Sequence, residues 1–273
     1  MDAILGVVVY LALARFLRYR PIDQGIETYL STHALRKGSD GSNTSDYLMT
    51  PAEAQEIIRI SSAYDMPYLV GKSVEFALFK VFGIESISTI LLGTGQLTRE
   101  ANAGRRFVDT GLLIATWMNV PITGPRSGRE KSSKWEDPRG AIAIARTNWL
   151  HSKYKIKNDD YLYALSLLAI EPATLIELYG WRSLTPMERQ AYFVYWAGIG
   201  RRMNIENIPE TFEDMQLWYK EYEDANMAPS PINKELAERS IDLLLYHVPS
   251  ALKPFGRHAF MTLCSERLRE SIM

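Results

Sequence analysis

The sequence predicts an all-α protein with a single helical domain. Two capping boxes, each with proline at the first helical position, begin at Thr50 and Thr185. No segment rich in valine and isoleucine alternates with polar residues, and no internal repeat is evident. With 273 residues, 47% of them hydrophobic, the chain can bury a sizeable core without disulfides or a structural metal.

Residues 1–20 predict an apolar helix that anchors the chain to a membrane. An uninterrupted apolar run covers residues 3–14 and is followed by Arg15, Arg18 and Arg20. These arginines would hold the following domain on the cytoplasmic face. The run is shorter than the ~20 residues that a spanning helix needs. A helix docked on the protein, or lying in the membrane interface, therefore stays an open alternative.

The remainder divides into residues 21–48, an arm with a polar glycine- and serine-rich loop, and a main domain of residues 49–273. Helices are predicted over residues 50–63, 73–83, 84–95, 98–117, 158–180, 185–203, 211–222 and 252–273. A further helix starts at 137 and carries His151, and another ends near Tyr246 after the prolines at 229 and 231. Residues 124–137 are polar and turn-rich and predict an exposed insertion. Pro172 is expected to kink its helix or to begin a new one.

His151 lies on a helical face that mixes apolar residues with short polar ones. At helical spacing it shares that face with Ile144, Thr147, Asn148 and Tyr154. A backbone carbonyl or a water would satisfy such an imidazole inside a core. The alternative is metal coordination, with haem iron favoured because no second ligand stands at a zinc-type spacing. The pattern alone leaves both open.

A second candidate group comprises Arg106, Asp109 and Thr110. Arg106 and Thr110 are four residues apart and so share one helical face, which continues into apolar residues. A guanidinium beside a hydroxyl suits the carboxylates of a porphyrin or another anion. A surface ion pair between Arg106 and Asp109 explains the same spacing.

Asp159 and Asp160 suggest magnesium binding of the kind found in prenyl diphosphate enzymes, but their adjacency suits a helix N-cap better. Cys264 is predicted to be a small core residue. Lysine and arginine total 31 against 32 acidic residues, so no overall field would attract nucleic acid.

Several segments together resemble the rubber oxygenase (latex clearing protein) superfamily. They are RRFVDTGLLI, ARTNWLHSKYKIKNDDYLYAL, YGWRSLTPMER and HVPSALKPFG, and the likeness extends over nearly the whole chain. Within the superfamily, the chain is most similar to the branch of endoplasmic-reticulum-bound oxygenases from mycophenolic acid biosynthesis. Relatives are expected to continue beyond Met273.

This resemblance implies an all-helical fold around haem b, with His151 as the proximal ligand of the iron and Arg106 and Thr110 lining the haem pocket. It implies that dioxygen cleaves a carbon–carbon double bond in the isoprenoid chain of a lipophilic substrate. Bacterial members carry a lysine, a ligand on the far side of the iron, where this chain has Asp109. Either that position is open or water-filled here, or Asp109 takes part in handling bound oxygen, and Asp109 and Thr110 are the candidate catalytic residues. The branch also implies a protein associated with the endoplasmic reticulum membrane.

Three other functions remain open at the level of sequence. A haem monooxygenase or peroxidase would act on a polyketide- or terpene-derived substrate. A magnesium-dependent prenyl-chain enzyme would rely on Asp159 and Asp160. A non-catalytic, membrane-tethered helical protein would keep the fold without the cofactor. The sequence indicates no oligomeric state.

Overall fold

The computed structural model describes residues 4–14, 16–17, 20, 24, 49–97, 100–122 and 137–273. Within them the regular structure is helical, with one isolated β-bridge between Ile84 and Met227. The helices are α1 (Ile4–Ala14), α2 (Pro51–Arg59), α3 (Pro67–Lys80), α4 (Glu85–Thr94), α5 (Glu100–Asn119), α6 (Arg139–His151), α7 (Asn158–Tyr179), α8 (Pro186–Arg202), α9 (Phe212–Asn226), α10 (Pro231–Leu244), α11 (Lys253–Leu263) and α12 (Glu266–Ile272). The predicted all-α class is confirmed.

Both predicted capping boxes are formed. The Glu53 carboxylate accepts a hydrogen bond from the Thr50 N–H at 2.7 Å, and the Thr50 hydroxyl accepts one from the Glu53 N–H at 3.3 Å. Thr185 and Glu188 make the same pair at 2.9 and 3.2 Å. These bonds satisfy backbone donors that the first turn of a helix leaves unpaired, so they fix where α2 and α8 begin.

Helix α7 lies at the centre of the fold and packs against α3, α8 and α9. It is long and apolar enough to cross a membrane, yet most of it is buried within the protein, which is typical of a core helix. The helix is assigned without interruption through Pro172, so no new helix begins there, contrary to one of the sequence expectations. Its buried apolar side chains belong to the hydrophobic core.

Helix α1 carries its apolar side chains on the outside. Its large hydrophobic residues are between 48% and 73% exposed, which does not fit the alternative of a helix docked on the protein. At ~1.5 Å per residue, its eleven residues extend over about half of the ~30 Å hydrocarbon core of a bilayer. The membrane anchor remains a prediction. Most of the predicted arm and loop (21–48) and of the insertion (124–137) lies outside the described residues.

Two glycines of α8 allow close packing of the helices around it. A Cβ atom added at Gly198 would lie 2.8 Å from the Pro51 ring of α2. One added at Gly200 would overlap Leu165 of α7 and lie 2.8 Å from Ile208. Since α8 packs against both α2 and α7, these glycines set how closely three core helices approach one another.

We expect Gly200→Ala to lower the free energy of unfolding by about 1–3 kcal/mol, because the added methyl group must displace the buried Leu165. Gly104→Ala on α5 is the matched control, since a Cβ there meets nothing within 4 Å. It is expected to raise stability by about 0.5–1 kcal/mol through helix propensity. Urea unfolding measures both. Equal effects of the two variants would contradict the packing argument.

Candidate functional site

A cavity of about 580 Å³ lies beside α7 and is enclosed by side chains from α3, α4, α5, α6, α8 and α10. Its wall is mainly apolar, with a few polar groups. This size and composition are typical of a site for a small molecule or cofactor. The apolar segments of residues 73–92 and 161–179 both contribute to the wall.

His151 is the last residue of α6 and lines this cavity. Its Nδ1 atom is buried and has no hydrogen-bond partner among the described residues. The imidazole lies with its ring centroid 5.4 Å from that of Tyr161. Its helical neighbour Thr147 also lines the cavity, whereas Asn148 donates to the Arg202 carbonyl at 3.0 Å. The backbone carbonyl that would satisfy a core histidine is thus not found for Nδ1.

The His151 imidazole is held in its neutral form. Burial, reinforced by the positive charge of Arg106, lowers its pKa from 6.5 to about 4. A neutral imidazole is the form that coordinates metals. At physiological pH this side chain therefore carries a nitrogen lone pair and no positive charge.

This shift predicts that acid destabilises the cofactor-free protein. The unfolded chain binds a proton at His151 near pH 6.5, whereas the folded chain resists it until about pH 4. The free energy of unfolding should therefore fall as the pH drops through that window, and no further below it. The upper bound is about 3 kcal/mol, and partial exposure reduces it to roughly 1–2 kcal/mol.

Thermal unfolding of the wild type and His151→Gln between pH 7 and pH 4 measures this effect. Subtracting the two curves removes the contribution of the carboxylates that titrate in the same window. The wild type is expected to lose about 2–4 °C more than the variant. Parallel curves would show that the imidazole is solvated.

Arg106 and Thr110 lie on α5 and line the same cavity. The Arg106 guanidinium donates to the Thr110 hydroxyl at 2.5 Å, and that hydroxyl donates to the Arg106 carbonyl at 2.8 Å. Burial lowers the pKa of Arg106, while Asp109 and Tyr154 act in the opposite direction. The charge of Arg106 is near enough to influence His151, so the structure brings the two predicted groups together across the cavity.

Asp109 occupies a different position. It is exposed and is not among the residues that line the cavity. Its closest connection to the site is electrostatic, through Arg106 on the same helix. Its predicted catalytic role therefore stays a prediction, and the geometry links it to the cavity only through Arg106.

Asp160 is a cavity residue whose position the sequence interpretation missed. The N-cap residue of α7 is Lys157, without a side-chain cap, so the predicted capping role of the aspartates is wrong. Asp160 is 2% exposed, lines the cavity, and its Oδ1 accepts from Ser86 at 2.8 Å and from Tyr222 at 2.6 Å. It stands at the start of a helical stripe with Ala164 and Leu168, which also line the cavity.

Asp159 is exposed, so the two carboxylates do not share one environment. Among the described residues, no group of three histidine, cysteine, aspartate or glutamate side chains is placed to hold a metal ion. Cys264 is buried in the core, as predicted, and burial raises the pKa of its thiol to about 11. His247 and His258 are exposed.

Comparison with known proteins adds independent information. Residues 134–272, just over half of the chain, match the family model for the catalytic domain of ER-bound oxygenase mpaB/B' and rubber oxygenase. The ER-bound oxygenase mpaB of Penicillium roqueforti is 29% identical, over 98% of this chain and 88% of that protein. The ER-bound oxygenases mpaB' and mpaB of Penicillium brevicompactum are each 31% identical, over 82% and 80% of this chain.

The chain spans only 54% and 57% of the length of those two Penicillium brevicompactum proteins. No solved structure matches it. The family model includes the His151 helix and the Asp160 position but begins after the Arg106 helix, whereas the relative from Penicillium roqueforti covers both. On the family match and these identities, the chain belongs to the family of ER-bound oxygenase mpaB/B' and rubber oxygenase.

Proposed function

We propose that the protein is a haem-dependent oxygenase that cleaves a carbon–carbon double bond in the prenyl chain of a lipophilic molecule. The observation that carries the proposal is His151, a neutral imidazole with an unpartnered buried nitrogen beside a mainly apolar cavity. Membership of an oxygenase family supports dioxygen as the co-substrate. The substrate class rests on the volume and polarity of the cavity together with the resemblance to enzymes acting on isoprenoid chains.

The residues present fit a haem. A single imidazole could hold b-type haem, and His151 would supply it in the neutral form that coordination requires. Arg106 supplies a partly buried positive charge on the same cavity, which suits a propionate carboxylate. The volume of about 580 Å³ lies within the ordinary range for cofactor and ligand sites.

Haem iron, when bound, supplies the one-electron chemistry through which dioxygen becomes reactive. In the proposed net reaction, one alkene and one dioxygen give two carbonyl fragments, and each fragment receives one oxygen atom. Dioxygen is the oxidant and the alkene is oxidised, so no external reductant is consumed overall. The contribution of the protein is to bind, orient and shield the reacting groups.

The side chains of α3, α4 and α7 hold the prenyl chain and exclude water from it. Thr110 positions Arg106. The Thr110 hydroxyl accepts a hydrogen bond from the Arg106 guanidinium and donates its own proton to the Arg106 backbone carbonyl. In this arrangement Thr110 has no proton left to donate to a substrate. Asp109 is proposed to act through Arg106 by balancing part of its charge.

We further propose that α1 attaches the protein to the endoplasmic reticulum membrane, with the main domain on the cytoplasmic side. The names of the relatives state that those proteins are ER-bound. The exposed apolar surface of α1 and the arginines that follow it suit the membrane interface. A membrane-bound enzyme would meet prenylated molecules at high local concentration, because such molecules partition into bilayers.

Oxygen-18 labelling tests the reaction. The haem-loaded enzyme is incubated with geraniol, farnesol or geranylgeraniol under labelled dioxygen, and the products are trapped at once as stable carbonyl derivatives for mass spectrometry. Cleavage places one labelled atom in each of two carbonyl fragments. A single hydroxylated or epoxidised product with one labelled atom would identify a monooxygenase instead. Unchanged substrates, with a haem spectrum present, would count against this substrate class.

A further inference from the structure

We propose that Asp160 is a specificity-determining residue that selects lipophilic substrates bearing a hydroxyl group, by accepting a hydrogen bond from that hydroxyl. The inference rests on the proposed function only in taking the cavity as the substrate site. It adds to that function the polar group that the substrate must carry, in addition to an apolar chain.

The Asp160 carboxylate is buried, and its two oxygens differ in their hydrogen bonds. Asp160 is 2% exposed, and both hydrogen bonds that it accepts, from Ser86 and Tyr222, end on Oδ1. Its Oδ2 is buried and has no hydrogen-bond partner among the described residues. A carboxylate can accept about four hydrogen bonds, and a buried acceptor without a partner is costly. Half of the acceptor capacity of Asp160 is therefore unused.

Hydrogen bonds from two other helices hold the Asp160 carboxylate in place. Ser86 belongs to α4 and Tyr222 to α9, so Asp160 joins three helices. Burial, followed by the hydrogen bond to Asp160, raises the pKa of Tyr222, so its hydroxyl keeps its proton and donates. Two donors hold Oδ1 in place, so the position of the second acceptor, Oδ2, is fixed before a ligand binds.

The position of Asp160 places it near the proposed reacting centre. Asp160 lines the cavity, and its neighbour Tyr161 lies next to the imidazole of His151. Asp160 thus belongs to the wall of the same cavity as the proposed reacting centre. The rest of the wall is mainly apolar, so a substrate donor that pairs with Asp160 would orient an otherwise featureless prenyl chain.

The charges around the cavity limit the type of ligand group that can donate to Asp160. A cationic ligand is disfavoured, because the Arg106 guanidinium lines the same cavity and would repel it. A neutral hydroxyl, as in a prenyl alcohol or a prenylated phenol, donates one hydrogen bond and brings no charge. Its methyl ether has the same chain and nearly the same shape but no proton to donate.

Equilibrium dialysis tests this choice with an equimolar mixture of farnesol and farnesyl methyl ether, extracted and quantified by gas chromatography. We expect the wild type to retain the alcohol over the ether by about tenfold, the ratio expected for a hydrogen bond to a charged acceptor. Asp160→Asn should bring the ratio to within about twofold, since its amide can replace the unused acceptor by a donor. Asp159→Asn, an exposed neighbour with the same change of charge, should keep the tenfold preference.

Equal retention of both compounds by the wild type would overturn the proposal, as would retention of neither or an undiminished preference in Asp160→Asn. If Asp160→Asn does not fold, Tyr222→Phe provides the second measurement. Removing one donor from Oδ1 makes the carboxylate a stronger acceptor, so the preference should persist, and parity would contradict us. The retention ratio does not require turnover. Failure of the oxygenase proposal would appear in the haem spectrum and the products instead.

Discussion

His151→Ala is expected to abolish the Soret absorption of the protein after haem-supplemented expression, together with any oxygenation of prenyl substrates. His151 is the cavity residue with a neutral imidazole and an unpartnered buried nitrogen, so its loss removes the proposed protein ligand of the iron. The activity should fall by at least about a thousandfold, because the cofactor would no longer be held in place. Absorption spectra of the oxidised, reduced and carbon monoxide-treated protein measure the first effect.

The control is His258→Ala, which truncates an exposed histidine and should leave the spectrum unchanged. A second variant, His151→Gly, leaves room for free imidazole, which should restore a histidine-like spectrum when added. Because His151 ends α6, glycine there should be tolerated. A normal Soret band in both His151 variants would show that another group holds the haem, and our assignment would be wrong.

Lys80→Met is expected to cause the largest loss of stability among the substitutions considered, about 3–5 kcal/mol. The Lys80 ammonium is buried and lies 2.9 Å from the Glu171 carboxylate and 3.1 Å from the Glu223 carboxylate, and it also donates to the Tyr219 hydroxyl. Burial alone would lower the pKa of Lys80, but Glu171, Tyr219 and Glu223 outweigh it, and the pKa is raised. Methionine would leave the buried Glu171 carboxylate and the largely buried Glu223 carboxylate without their cation.

Lys72→Met is the matched control, because it makes the same chemical change on the same helix. Lys72 pairs with Glu75 at 2.7 Å, but both side chains are substantially exposed. That pair should contribute less than about 1 kcal/mol. Urea unfolding of the two variants measures the difference. Similar losses in both would mean that the Lys80 cluster is solvated in solution.

The fold class followed from local signals that act within a few residues. The capping boxes at Thr50 and Thr185 fix helix starts through bonds between residues three apart, so the sequence shows them directly. The expectation that a new helix begins at Pro172 was wrong, because it rested only on the local preference of proline against a continuous helix. The packing of α7 against three neighbours outweighs that preference, and the neighbours cannot be inferred from the residues around the proline.

The site was predictable where its residues share one helix. The four-residue spacing predicted that Arg106 and Thr110 share one helical face, and there they form a hydrogen bond. The resemblance singled out His151 as the candidate ligand, and it lines the same cavity. Asp160 was missed because its partners Ser86 and Tyr222 are 74 and 62 residues away in sequence. Burial of a carboxylate depends on such distant donors, so the first turn of α7 appeared to be an ordinary helix start.

Leu165 packs against Gly200 on one side and lines the cavity on the other. The width of the cavity at that point is therefore set by the separation of two core helices, because the Leu165 side chain cannot vary on its own. Divergence among relatives toward bulkier or slimmer substrates should accordingly involve paired changes at these two positions. A new substrate range would then arise through the interior of the protein and not through its surface loops.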